Sequence, residues 1–512
     1  MNWNQLFARK NLDHLLLEMK GDERLKRVLG PINLTSLGVG AVIGAGIFVA
    51  TGKAASQCAG PALMVSYIVA GVTCIFAALC YAEFASMAPV AGSAYTYAYI
   101  TMGELFAWII GWDLILEYAV GAATVANGWS GYFQKLLSKL GMHVPDLFKQ
   151  ATMIYKDAGM VDGKFVDAHY VLTGSICNLP AVLIVAIMTA ILVKGIAESA
   201  GFNALMVFTK VGAVVFVILV GAFYIHPENW TPFAPYGWSG ISFFGIPVLG
   251  EVNSKTGEPV GMLAGAAIIF FAYIGFDSIS THAEEARNPQ RDVPFAIIAS
   301  LLICTVLYIA VVAVLTGMVK YDEINVDAGI SSAFHQAGLP WAEMIIASAA
   351  VAGMTSVLLV MMLSAPRVFL AMARDGLVPK AFFADVHPVF QTPWKSTIGI
   401  GLFVGFLAGF LPLDALLHLT NIGTLFAFVI VCAAVLIMRY TNPEAVRPFR
   451  CPLVPIVPIL GILSCLMLML SLPAANWWRL LAWMGIGLVI YFAYGQKHSV
   501  LRHQAPSTTP DA

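Results

Sequence analysis

Three kinds of residue in this sequence could do chemistry inside an apolar setting. Lys210 stands alone in "VFTKVGAVV", a charge in the middle of a long apolar run. Asp113 and Glu117 stand in "GWDLILEYAVGAATVANGW", four residues apart, so a helix places both on one face. Ionisable groups in such runs are costly to bury and read as functional by default. The third kind is glycine. Gly44 and Gly46 interrupt "AVIGAGIFVA" (41–50), and Gly275 interrupts "FFAYIGFDSIS" (270–280), followed by Asp277. Each glycine weakens a helix by about 1 kcal/mol relative to alanine. A break frees backbone N–H and C=O groups, and freed groups can hold a ligand.

The elements that position these residues are membrane spans. The chain has 512 residues, 59% hydrophobic and 11% charged, with a mean hydropathy of +0.81. Soluble globular chains carry about 25% charged residues, so the composition defines a polytopic membrane protein. A span needs about 20 apolar residues. Twelve segments qualify, near 34–56, 62–85, 96–134, 178–194, 200–225, 262–282, 294–318, 341–366, 396–412, 414–438, 453–473 and 477–495. The third is too long for one bilayer. The first thirty residues are polar, with no short apolar core or small-residue cleavage site, and do not read as a signal peptide.

An even number of spans puts both termini on one side. With the termini inside, 18 Lys and Arg residues fall on the inner side and nine on the outer, and Lys210 lies mid-span. That bias predicts cytoplasmic termini. The longest loop, about 135–177, is then outside. The tail "HQAPSTTPDA" reads as disordered. Glu83, Arg287, Arg291, Arg367, Arg374 and Asp375 fall near inner ends and read as anchors and gate pairs. The eight cysteines form no CxxC pair, and no HExxH or GxSxG spacing is present. Neither a catalytic set, a metal site nor a cofactor is expected, and the net charge of −1 gives no reason to expect nucleic acid.

The first and sixth segments carry the breaks, five segments apart. An odd number of helices per half makes the second half enter from the opposite side. Paired interruptions in an inverted repeat point to a transporter's binding site. Irregular backbone at membrane depth survives only when buried in protein or lining a cavity. A half-helix starting near Ala45 offers N–H groups and the positive end of a dipole, which suits a carboxylate. Free carbonyls near Val42 and Ile43, and again from Phe271 to Gly275, suit an ammonium. Both together suit a small zwitterion, an amino acid. The structural alternative for Gly44 and Gly46 is close helix packing through small residues.

"GVGAVIGAGIFVATG", "MAPVAGSAYTYAY", "FFAYIGFDSISTHAEEARNPQRDVP" and "PRVFLAMARDGLVP" together resemble the amino acid–polyamine–organocation superfamily, and within it the cationic amino acid transporters and their bacterial relatives. The resemblance covers residues 30–495. It implies an all-α LeuT-type fold: a cytoplasmic segment 1–33, helices 1–5 over 34–225, inverted helices 6–10 over 262–438, helices 11–12 over 453–495 and a cytoplasmic tail 496–512. It also implies secondary transport of amino acids by alternating access, in the cell membrane.

From the resemblance, the substrate carboxylate lies on the amides of Ala45, Gly46 and Ile47. Its ammonium faces the carbonyls of Val42, Phe271 and Ile274. Phe271 is the aromatic gate. Lys210 takes the place of a sodium ion and bridges helices 1 and 8, which predicts sodium-independent transport with a proton as the coupling ion. Glu117 meets a cationic side chain, so arginine, lysine and ornithine are the expected substrates. A broad neutral range is the alternative, because the backbone contacts are common to all amino acids. Uniport, exchange or symport stays open, as does a small single-helix partner beside the surrounding lipid. A channel would need a filter-like set of carbonyls or charge rings, and none is seen.

Overall fold

The computed structural model describes residues 6–11, 27–90, 92–156, 159–161, 164–166, 169–244, 246–253, 259–325 and 329–503. The last residues of the tail, 504–512, lie outside them, so its expected disorder is not addressed. The described residues are 74% helical. Its main helices are α1 (Pro31–Val42), α2 (Leu63–Met87), α3 (Glu104–Lys139), α4 (Leu179–Lys194), α5 (Ile196–Gly221), α6 (Met262–Ile269), α7 (Pro289–Met318), α8 (Pro340–Arg374), α9 (Trp394–Phe410), α10 (Leu413–Thr441), α11 (Ile456–Leu470) and α12 (Ala474–Ile490). Among the described residues, eight helical stretches are long and apolar enough to cross a membrane, the first being the run Pro31–Met87 that contains α1 and α2. The helices α4, α9 and α11 are apolar but shorter.

Proline sets many of the starts. It occupies the first turn of α1, α4, α7 and α8, where its missing N–H costs nothing and its φ suits a helix. Asn178 caps α4 by accepting from the amide of Ala181. The long third segment is not one helix. A short helix, Ala94–Thr101, ends at Gly103, whose φ of +105° turns the chain before α3 begins. Two of the connections carry small hairpins. β1 (Met153–Lys156) pairs with β4 (His169–Leu172), and β2 (Gly159–Val161) with β3 (Lys164–Val166), all antiparallel. β5 (Ile241–Phe243) pairs with β6 (Ile246–Leu249), and β7 (Glu251–Val252) with β8 (Pro259–Val260).

Packing positions the site. The most extensive contact runs between α3 and α8, at the centre. The pairs α2–α7 and α4–α9 pack likewise. In addition α1 packs on α7 and α6 on α2, α5 on α8 and α10 on α3, and α5 on α7 and α10 on α2. Adding five to each helix number, and wrapping from ten back to one, turns this set of pairs into itself.

Candidate functional site

The two breaks face each other in the core. α1 ends at Val42, and Ile43 is extended at φ −75°, ψ 103°. Helix resumes at Gly46 in a wide turn to Ala50, continues over Thr51–Ala54 and ends in a second wide turn, Ala55–Ala59. On the other side α6 tightens over Phe270–Tyr273, and Ile274 is extended. Gly275 has φ +116°, and helix resumes at Ser278. A methyl group on Gly46 would lie 2.2 Å from the Cα of Ala272, and one on Gly275 would lie 2.7 Å from the Cβ of Ala41. The glycines therefore serve close packing and interruption together, since each break sits directly against the other element.

The freed backbone groups divide by type. No bond from outside their own helix reaches the amides of Ala45, Gly46 and Ile47 among the described residues. These are first-turn N–H groups, which lack partners within a helix. The carbonyls are not free in the way the sequence suggests. Tyr308 Oη lies 2.7 Å from the Val42 oxygen and 3.0 Å from that of Ala272, so one phenol clamps both breaks. The Ile43 oxygen accepts from Lys210 Nζ at 2.8 Å. The Phe271 oxygen accepts from the amide of Ile274. A carbonyl has a second lone pair, so Val42 and Phe271 can still take an ammonium. Phe271 is buried between the breaks, 4% exposed.

Lys210 is fully buried on α5. Its ammonium donates to Gly40 O at 2.7 Å, to Ile43 O and to Ser356 Oγ at 3.3 Å. It thus ties α5 to the broken end of α1 and to α8. Ser356 Oγ also bonds Asn203 Oδ1, and Asn203 donates to Ser36 O. Among the described residues, every hydrogen-bond partner of the charge is a neutral oxygen.

The carboxylates of α3 are different. Glu117 and Asp113 are both buried, and none of their four oxygens has a hydrogen-bond partner among the described residues. Asp113 faces Gly423 of α10, where an added methyl would come within 2.7 Å of its Oδ1. Glu117 neighbours Thr424 and Asp277. Asp277 is held: Tyr118 Oη donates to it at 2.5 Å, and the amide of Gly275 at 3.3 Å. Glu117 thus stands with the second break. Along α3 it lies eleven residues from Gly128, the position level with Ala45, or about 16 Å of helix.

Beyond the second break the charges are paired. Arg367 makes two bonds to Glu285, at 3.0 and 2.7 Å, with both side chains buried. Arg374 meets Glu284 at 3.2 Å, and Lys10 meets Asp375 at 2.8 Å. The amides of Val28 and Leu29, just before α1, donate to Glu285 O, and Arg287 N donates to Leu29 O. Glu83 holds Arg439 and Arg447. Arg287 and Arg291 are exposed. The sequence reading missed Tyr308, Ser356, Glu284 and Glu285. The two glutamates were visible as an uninterrupted acidic pair in "STHAEEARNP"; nothing marked Tyr308 among 17 tyrosines.

A buried site built on two facing helix breaks, in a bundle of apolar spans, defines a membrane permease. The chain matches the family model described as "Amino acid permease" over residues 29–491, and it belongs to that family, within the amino acid–polyamine–organocation superfamily. It is 45% identical to a branched-chain amino acid permease of Bacillus subtilis over 497 residues, 97% of this chain and 99% of that protein. It is 42% identical to a methylthioribose transporter of Bacillus subtilis over 498 residues, with the same shares covered. It is 38% identical to a vacuolar cationic amino acid transporter of Arabidopsis thaliana over 445 residues, 86% of this chain and 68% of that protein. These relatives are transporters and permeases, not enzymes.

Proposed function

We propose that the protein is a secondary active transporter that moves amino acids with cationic side chains by alternating access, without sodium. The observation that carries this reading is the pairing of opposite vacancies. Unengaged amides at Ala45, Gly46 and Ile47 suit a carboxylate, and an unpartnered buried carboxylate at Glu117 suits a cation.

Sodium independence is supported by Lys210. Its ammonium already fills the oxygen set of Gly40, Ile43 and Ser356 that would otherwise suit a monovalent cation. An inward proton is the proposed coupling ion, with Lys210 as its carrier. The packing pairs that recur five helices apart support a LeuT-type 5+5 repeat over 34–225 and 262–438, with α11 and α12 added. The excess of basic residues supports both termini on the cytoplasmic side of the cell membrane.

A second reading has its own support. The branched-chain amino acid permease matches nearly the whole chain at 45% identity, so neutral amino acids are the competing substrates. Uptake into liposomes of arginine and of leucine, each with sodium replaced by choline, decides between them. Saturable arginine uptake that persists in choline supports the proposal. Leucine uptake without arginine uptake moves the substrate to the neutral class. Loss of most activity without sodium overturns the view of Lys210.

A further inference from the structure

A groove of about 640 Å³ opens on the exposed face of α7, away from both breaks. Gln290, Arg291, Pro294, Phe295, Ile298 and Leu302 form one wall, and Pro448 and Phe449 the other. Arg291, Phe295, Ile298 and Leu302 are spaced i, i+4, i+7 and i+11, so they form one stripe along the helix. The stripe is charged at its first turn and apolar below. Phe295 is 59% exposed and Leu302 47%, and Val306, the next position of the stripe, is 67% exposed. The opposite wall is fixed. The amide of Phe449 donates to Ser86 Oγ at 3.1 Å, and that of Cys451 to Glu83.

Two features at the charged end call for an anion. Arg291 is exposed and has no ion-pair partner among the described residues. It also sits in the first turn of a 30-residue helix, where the macrodipole is positive and a cation is unfavourable. Arg450, next to Phe449, is exposed as well. Asp292 is buried, and Glu444 is exposed further back in the loop.

We propose that this groove holds an anionic phospholipid, with its phosphate on Arg291 beside Arg450 and one acyl chain along Phe295, Ile298 and Leu302. A lipid is the occupant because the apolar stripe continues beyond the groove onto exposed apolar surface of a membrane helix. The bilayer presents an anionic head and an acyl chain at just that change from charged to apolar. Basic pockets between membrane helices recognise head groups by the same chemistry. A lipid seated there joins α7, which packs on α1, to the fixed connection between α10 and α11.

The test is native mass spectrometry of the full chain, purified with equal phosphatidylglycerol and phosphatidylcholine of identical acyl chains. Wild type retains phosphatidylglycerol preferentially. Arg291→Gln loses about fivefold of that retention and keeps its phosphatidylcholine. Leu302→Trp, which fills the apolar part, loses both. Lys194→Gln, another exposed cation, retains the wild-type pattern. Unfolding temperatures measured in phosphatidylcholine confirm that the variants are folded. Unchanged lipid retention in Arg291→Gln overturns the proposal. Displacement of the lipid by soluble glycerol phosphate, with no effect of Leu302→Trp, overturns it in favour of a soluble anion.

Discussion

Arg367 and Glu285 meet in a two-bond pair, both buried, whereas Glu117 and Asp113, equally buried, have no counter-charge and no close hydrogen bond among the described residues. Both sets are buried, so burial alone does not separate them. A buried charge that is paired and hydrogen-bonded belongs to the fold, because removing one member leaves the other stranded. A buried carboxylate without a partner is costly to the fold, and a mobile partner, whether a substrate cation or a proton, lowers that cost. Lys210 lies between the two cases. Its hydrogen bonds are satisfied, but only by neutral oxygens, so no counter-charge holds it in the charged state. The comparison sorts the charges near the breaks into those that close the structure and those that work in the cycle.

The sharpest way to break this comparison is at the pair. Arg367→Ala should destabilise the protein by about 3–5 kcal/mol, because Glu285 is left buried and uncompensated. Thermal unfolding in detergent measures it. The double variant Arg367→Ala with Glu285→Ala should recover much of the loss. A small effect in the single variant would mean that Arg367 is not structural.

Lys210→Ala comes next. Two charge-assisted bonds to backbone oxygens are lost, and hydrogen bonds to charged groups contribute about 1.5–3 kcal/mol each. Solvation of the exposed carbonyls by water offsets part of this, so a net loss of about 2–3 kcal/mol is expected. The functional consequence is more specific. An inward pH gradient should drive substrate accumulation in wild type and not in Lys210→Ala, although binding persists. Equal pH responses in the two would make Lys210 a static tie.

Glu117→Gln should act on binding and not on the fold. Arginine or lysine binding should weaken by about 2 kcal/mol, roughly 30-fold, while leucine or alanine binding stays nearly unchanged. The unfolding temperature should hold or rise, because no partner of Glu117 is lost and a buried charge is removed. Calorimetry with both ligand types on one mutant decides. Equal losses for both would make Glu117 structural, and wild type that binds leucine but neither arginine nor lysine would give the neutral reading.

Much of this was legible in the sequence because it rests on polarity against an apolar background. Gly44, Gly46 and Gly275 interrupt long apolar runs, and Lys210, Asp113 and Glu117 stand out for the same reason. What was not legible was who meets whom. The Val42 and Ile43 carbonyls read as free because a sequence shows the helix end and not the Tyr308 and Lys210 side chains that reach it from other helices. The third segment read as one span because the turn at Gly103 interrupts the helix without interrupting the hydropathy.

The smallest effect calibrates the others. Lys139 and Glu343 form a close pair of 2.5 Å at the ends of α3 and α8, the two helices packed most extensively on each other. The geometry is as tight as that of Arg367 and Glu285, but the lysine is 37% exposed and the glutamate 18%. Water already solvates both groups when they are apart, so little is gained by joining them, and ordering the long lysine side chain costs entropy. His335 also contacts Glu343, at 2.9 Å, and keeps the carboxylate partnered if Lys139 is removed. Lys139→Gln should therefore cost less than about 1 kcal/mol. That small loss should shrink further between low and high salt, because exposed charges are screened, whereas the effect of Arg367→Ala should be nearly independent of salt. Unfolding temperatures of both variants at the two salt concentrations make the measurement. If Lys139→Gln cost as much as Arg367→Ala, short distance rather than burial would set the strength of these pairs. The unpaired state of Glu117 would then carry no special meaning for its role.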